Sequence, residues 1–188
     1  MRRVALLPVW HERYTADILR NIDIAFNEEL AKKAMFEVVP ITRNAMEGLI
    51  GRRELSSVEK IPGDLFLRLK DQYGVEGVML TDITHFSPYR PVALGVRSKL
   101  VDIDSGRIHW ASDVLYDSSN SAVAVAAKEY QKVLGQNGFP IMADGGAVLM
   151  SPRMFAQFAA YSNYASLQPA VSSVEPAGGL GTAMRKIF

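Results

Sequence analysis

A chain of 188 residues with 48% hydrophobic residues and a formal charge of +1 is long enough to bury roughly 70% of the surface its unfolded form exposes. That composition excludes general disorder, and the balanced charge lacks the basic excess of an electrostatically driven nucleic-acid binder. With no cysteine there is no disulfide framework, thiolate nucleophile or Cys-ligated metal.

The start, MRRVALLPVW, has the arginines of a signal peptide, but Pro8 breaks its apolar run after Leu7 and no cleavage site follows. It reads as a first strand over residues 3–10, covered on both faces. Thr15 or Asp17 is placed to cap a helix over 16–33, where Ile18, Ile22, Phe26 and Leu30 recur every fourth residue. FEVVPI supplies a second strand at 36–41, and strand, helix and strand predict a right-handed crossover with a parallel pair. From Thr42 to Gly63 the periodicity weakens: Ala45, Met46, Leu49 and Ile50 suit a short helix ended by Gly51, and Arg52 to Lys60 reads as a solvated connection. A helix over 63–73 ends at Gly74, a residue suited to the left-handed position after the last turn.

Strands are expected at 76–86, 92–103 and 107–117. In the second of these, Val92, Leu94, Val96, Ser98 and Leu100 share one face. Asp104-Ser105-Gly106 has the chemistry of a tight hairpin turn. Facing Ile103 with Arg107 sets Leu100 against Trp110, Val96 against Val114 and Arg97 against Asp113, so apolar and charged partners fit one register. Ser119 or Asn120 caps a helix over 121–134 that Gly135 ends, and Ser151-Pro152 starts another over 152–166. The expected fold is therefore mixed α/β: a five-stranded mixed sheet in order 2-1-3-4-5, a βαβ start followed by an antiparallel meander, and helices packed on the sheet. Residues 1–168 form one domain and residues 169–188, rich in Pro, Gly, Ser and Ala, a flexible tail. Met184 to Phe188 reads as a frayed end or a docking peptide.

No constellation reaches a catalytic signature. His11, His85 and His109 lie in separate segments, and His11-Glu12 lacks the second histidine of a zinc-protease helix. Asp102-Ile103-Asp104-Ser105-Gly106 lacks the later oxygen ligands of a calcium loop, so turn chemistry explains it better. Neither Gly74 to Gly77 nor Gly178 to Gly181 is a phosphate loop, and there is no G-x-S-x-G elbow. No catalytic, cofactor or metal residue is assigned. Tyr89 and Arg90, held between Pro88 and Pro91, form the loop best suited to present side chains outward. Phe155 and Phe158 line a helix side that serves either core packing or a partner. These four are the candidate interaction residues.

Three segments carry a resemblance: VALLPVW before a long helix, the Tyr73-Gly74-Val75-Glu76-Gly77-Val78 entry into a strand, and Lys99 to Trp110, KLVDIDSGRIHW. Over about residues 3–134 the chain resembles bacterial periplasmic lipoprotein domains related to the TolB N-terminal domain and to the curli secretion lipoprotein CsgG. The resemblance implies export, a lipidated N-terminal cysteine and outer-membrane anchoring in the native form. It also implies a non-enzymatic role in envelope assembly, secretion or transport, with protein partners, no nucleic acid, no cofactor, and a homo-oligomer among the options. The missing cysteine fits a chain that starts after its anchor. Long alternating membrane hairpins are lacking, so pore formation is not carried over. The alternative reading is a small-molecule-binding domain or hydrolase with a pocket near His11, Asp82 and His85.

Overall fold

The chain alternates strand and helix in its first half, and the computed structural model, which describes residues 1–14, 16–136 and 146–168, follows that alternation. Strand β1 (Arg3–Leu6) leads into α1 (Ala16–Lys32), β2 (Glu37–Pro40), α2 (Arg43–Ile50) and α3 (Leu65–Tyr73). The meander β3 (Gly77–Ser87), β4 (Ala93–Asp102) and β5 (Ile108–Asp117) comes next, then α4 (Ser121–Gln136) and α5 (Pro152–Asn163). The sheet order is β2-β1-β3-β4-β5, with β1 parallel to both β2 and β3 and the meander antiparallel. This is the mixed sheet and the order that the sequence predicts.

Strand β1 is shorter than expected because Pro8 has no N–H to give the ladder. Pairing resumes beyond it, where Trp10 N–H donates to Thr81 O (2.9 Å) and Ile83 N–H to Trp10 O (2.8 Å). Thr15 as a cap and the side chains of Asp17 and Ile18 lie outside the described residues, as do residues 137–145 and the segment 169–188. Helix α2 begins earlier than the weak periodicity suggests, at a cap where Thr42 Oγ1 accepts the Ala45 N–H (3.1 Å). Gly51 and Gly74 end α2 and α3 in the left-handed conformation, with φ of 70° and 63°. Helix α4 does not stop at Gly135 but runs to Gln136. Ser151 caps α5 by accepting the Met154 N–H, with Pro152 in the first turn.

Helices cover the two faces of the sheet unequally. One core unites Val4, Leu6, Met79, Ile83, Leu94, Val96 and Leu100 with Phe26 and Leu30 of α1, Tyr130 of α4 and Phe155 and Phe158 of α5. Across α1 and α4, buried Glu29 accepts from the Tyr130 hydroxyl (2.9 Å) and from Lys32 Nζ (2.6 Å). The opposite core joins Ala5, Leu7, Val78, Leu80 and Val101 to Met46 and Leu49 of α2 and Leu65 and Leu69 of α3. Leu55 belongs to this second core, and Leu55, Ser56 and Ser57 are all buried. The Arg52–Lys60 segment is thus not a wholly solvated connection: its middle plugs the sheet while its charged ends stay outside.

Register in the β4–β5 hairpin matches the expected pairs Leu100–Trp110, Val96–Val114 and Arg97–Asp113, the last with an ion pair of 2.7 Å. Ile103 does not face Arg107, because the register slips by one residue between Leu100 and Val101. The cause is local: the Asp102 carboxylate accepts both the Ser105 N–H (2.7 Å) and the Ser105 hydroxyl (2.6 Å), and Gly106, at φ 67°, donates to Asp102 O. These bonds tighten the turn and leave His109 as the extra residue of a bulge.

Candidate functional site

Two concave regions stand out among the described residues, and neither of these is lined by His11, Asp82 or His85. The larger, about 640 Å³, opens beyond the C-terminal ends of β1 and β2, between α1 and the start of α2. Its size falls in the range of ligand pockets, but its polar lining is largely spent on holding the chain together. Asp23 accepts the Val9 N–H (2.9 Å), while Arg43 donates to Val9 O (3.0 Å), pairs with Asp23 and reaches Glu54 (3.3 Å). Burial raises the Asp23 pKa, against the opposing pull of Arg43 and the Val9 N–H. The group thus replaces the ladder partners that Val9 loses after Pro8. It is a clamp that closes the end of β1.

The smaller region is a shallow depression of about 510 Å³ beside the β3–β4 loop, lined by Arg90, Pro91, Ser118, Lys128, Leu149 and Met150 among others. The loop is anchored where β3 ends: the Tyr14 hydroxyl donates to Phe86 O (3.2 Å), and the two rings meet edge to face at 5.4 Å. The Arg90–Pro91 peptide bond is cis. Tyr89 is 82% exposed, Met150 is also exposed, and among the described residues neither Arg90 nor Lys128 is engaged in an ion pair. Two uncommitted cations, an aromatic ring and a thioether chain therefore share one surface, a combination that suits an acidic segment with apolar side chains.

The other sequence-derived candidates fall elsewhere. Phe155 and Phe158 are 0% and 2% exposed and pack ring against ring at 5.6 Å. They lie in the core with Tyr116 and Tyr130, and no partner can reach them without opening it. Asp82, 1% exposed, accepts from the Ser57 N–H (2.7 Å), the Ser57 hydroxyl (2.7 Å) and the Ser56 hydroxyl (3.1 Å). Lys99 closes the same corner by donating to Ser57 O (2.9 Å). His11 accepts the Arg13 N–H on Nδ1 (2.8 Å), which leaves the proton of the neutral ring on Nε2. Its pKa is lowered, chiefly by burial and then by the nearby Arg13. His109 sits 3.9 Å from Asp102, and no group of three metal-ligating side chains occurs among the described residues.

Two polar clusters escape sequence reasoning. One is the Asp82–Ser56–Ser57–Lys99 corner. The other lies under the end of α5, where Thr81 and Ser98 share a hydrogen bond (3.1 Å) and Asn163 donates to Ser98 (3.0 Å). Ser98 sits at a position that strand alternation marks only as inward, and Ser56 and Ser57 lie in a segment whose charged ends make it read as solvated, so the residue types alone carried no signal.

The chain matches no family model and no curated protein sequence. Among solved structures it is similar to lipoprotein GNA1162 from Neisseria meningitidis, at 14% identity and a TM-score of 0.50, over 73% of this chain and 98% of that one. It is also similar to the hypothetical protein CT253 from Chlamydia trachomatis, at 13% identity and a TM-score of 0.51, over 86% and 92% of the two chains. TolB from Acinetobacter baumannii aligns at 12% identity and a TM-score of 0.38, over 71% of this chain and 28% of that one. At these identities the likeness is one of fold: the chain has an architecture found in a Neisseria meningitidis lipoprotein. No described helix is long and apolar enough to cross a membrane.

Proposed function

We infer that this chain is the folded, non-catalytic part of a periplasmic lipoprotein, held at the outer membrane in its native form. It acts as an interaction module in envelope assembly, secretion or transport. The observation that carries the reading is the fold likeness to a lipoprotein over 98% of that protein's chain, joined by the sequence segments that resemble the TolB-related domains. The tie to the curli secretion lipoprotein rests on those segments alone. Tyr89 and Arg90, with Lys128 and Met150 beside them, are the recognition surface, and an acidic segment of an envelope protein is the fitting partner.

The test uses the full native gene product in its own bacterium. Metabolic labelling with a clickable palmitate analogue and fractionation are expected to give a labelled protein in the outer-membrane fraction. An unlabelled protein in the cytosolic fraction sinks the reading. A photo-crosslinking residue at Tyr89 then reports the recognition surface, and Arg90→Glu is expected to abolish the crosslinked product while changing stability by less than about 0.5 kcal/mol, as exposed substitutions do.

A further inference from the structure

The two edges of the sheet are built differently. Strand β2 is four residues long and ends in Pro40, which blunts it against further pairing. Strand β5 is ten residues long, and none of the ten is proline, lysine or glycine. It is the most exposed of the five strands, with Ile108 and Leu115 at 56% and Val114 at 40%. At its end Ser118 N–H donates to Val92 O. By the alternation of an antiparallel ladder, the even-numbered residues of β5 from Trp110 to Tyr116 bond to β4. The N–H and C=O groups of Ala111, Asp113 and Leu115 then point outward, and among the described residues no strand pairs with them.

We propose that β5 is a self-association edge: two copies of this chain pair their β5 strands antiparallel about a two-fold axis through Ser112, forming one continuous ten-stranded sheet. The occupant is a second copy because β5 is complementary to itself. With Ser112 on the axis, Val114 of one copy faces Trp110 of the other, Ile108 faces Tyr116 and Leu115 faces His109, so each exposed apolar residue gains a partner of a favourable type. Asp113, already paired with Arg97 of its own sheet, faces Ala111. Centring the pair on Asp113 instead would set two carboxylates against each other, and centring it on Ala111 would set Leu115 against Arg107 and shorten the overlap. The outward-pointing residues 111 and 113 pair with each other in this register, as ladder hydrogen bonds require, and Leu115 meets the bulge at His109. A two-fold interface uses the same strand twice and closes on itself, and the blunt β2 edge offers no second site for growth into a fibre. This inference is independent of the proposed lipid anchor.

The absence of native cysteine makes the test clean. On the axis the two Ser112 residues form a non-hydrogen-bonded pair, with Cα atoms about 4.5 Å apart, within disulfide reach. Light scattering on the 188-residue chain is expected to give a dimer mass. Under mild oxidation Ser112→Cys is expected to form a covalent dimer at least tenfold faster than Glu129→Cys, which is exposed on α4. Leu115→Lys, at a position exposed in the single chain, is expected to give a folded monomer by circular dichroism. Several results overturn the proposal: a monomer mass at high micromolar concentration, Ser112→Cys no faster than Glu129→Cys, or Ala111→Cys faster than both. Hydrogen exchange supplies the last arm. Slow amides at Ala111, Asp113 and Leu115 in a chain that stays monomeric would mean that the chain's own segments hold this edge, and the proposal fails.

Discussion

Asp82 is the residue at which chemistry and architecture are easiest to confuse. A buried carboxylate three positions before His85 invites a catalytic reading, yet its oxygens accept three hydrogen bonds from Ser56 and Ser57. Its work is to pin the segment that carries Leu55 into the second core. Asp82→Asn is expected to cost roughly 1–2 kcal/mol and Asp82→Ala about 3 kcal/mol in urea unfolding, because each strands buried donors. A loss of partner binding without a loss of stability would contradict this role. Buried tyrosines act on pH dependence instead. Burial raises the Tyr116 pKa to about 12, from an ordinary value of 10.0, and the same cause pushes Tyr130 and Tyr164 up. Above pH 10 the unfolded chain releases these protons before the folded one, so stability is full below pH 10 and declines as pH rises toward 12. Tyr116→Phe is expected to flatten that decline in denaturation midpoints taken from pH 9 to 12, and an unchanged slope would remove Tyr116 from the account.

At the scale of elements, what the sequence made legible was whatever depends on local period. Helices α1 and α3 and the hairpin pairs of β4 and β5 follow from apolar spacing and from the match of Arg97 with Asp113. What it hid was set by distant contacts. The Arg52–Lys60 segment reads as solvated because its ends are charged, and only the Asp82 carboxylate across the sheet makes Ser56 and Ser57 interior residues. The slip beyond Leu100 comes from Asp102 bonding to Ser105, a choice that cross-strand matching does not reveal. A second irregularity lies between Ile83 and His85. There Gly95 faces the bulged strand so closely that a Cβ would lie 2.5 Å from Thr84 Oγ1 and 3.0 Å from the His85 backbone nitrogen. Gly95→Ala is expected to destabilise by roughly 1–3 kcal/mol, as overpacked sites do, with thermal unfolding as the readout. An unchanged midpoint would show that the bulge can shift to make room.

For the whole molecule, the strand order was readable because each rule left one choice: a crossover places β1 beside β2, and short turns keep β3, β4 and β5 adjacent. The candidate site was less readable. Tyr89 and Arg90 could be named from their flanking prolines, but Lys128 and Met150 join them only through the packing of α4 and the turn at Ala147–Leu149. The placement of α5 has a further consequence, for biogenesis. Phe155, Phe158 and Tyr164 complete the core over β3, β4 and β5, although they come well after the end of β5 at Asp117. Residues 3–134 therefore emerge during synthesis with one apolar face still open. Until residue 167 is out, that face needs a chaperone's cover or a short delay, and the final closure of the fold is timed by its last helix.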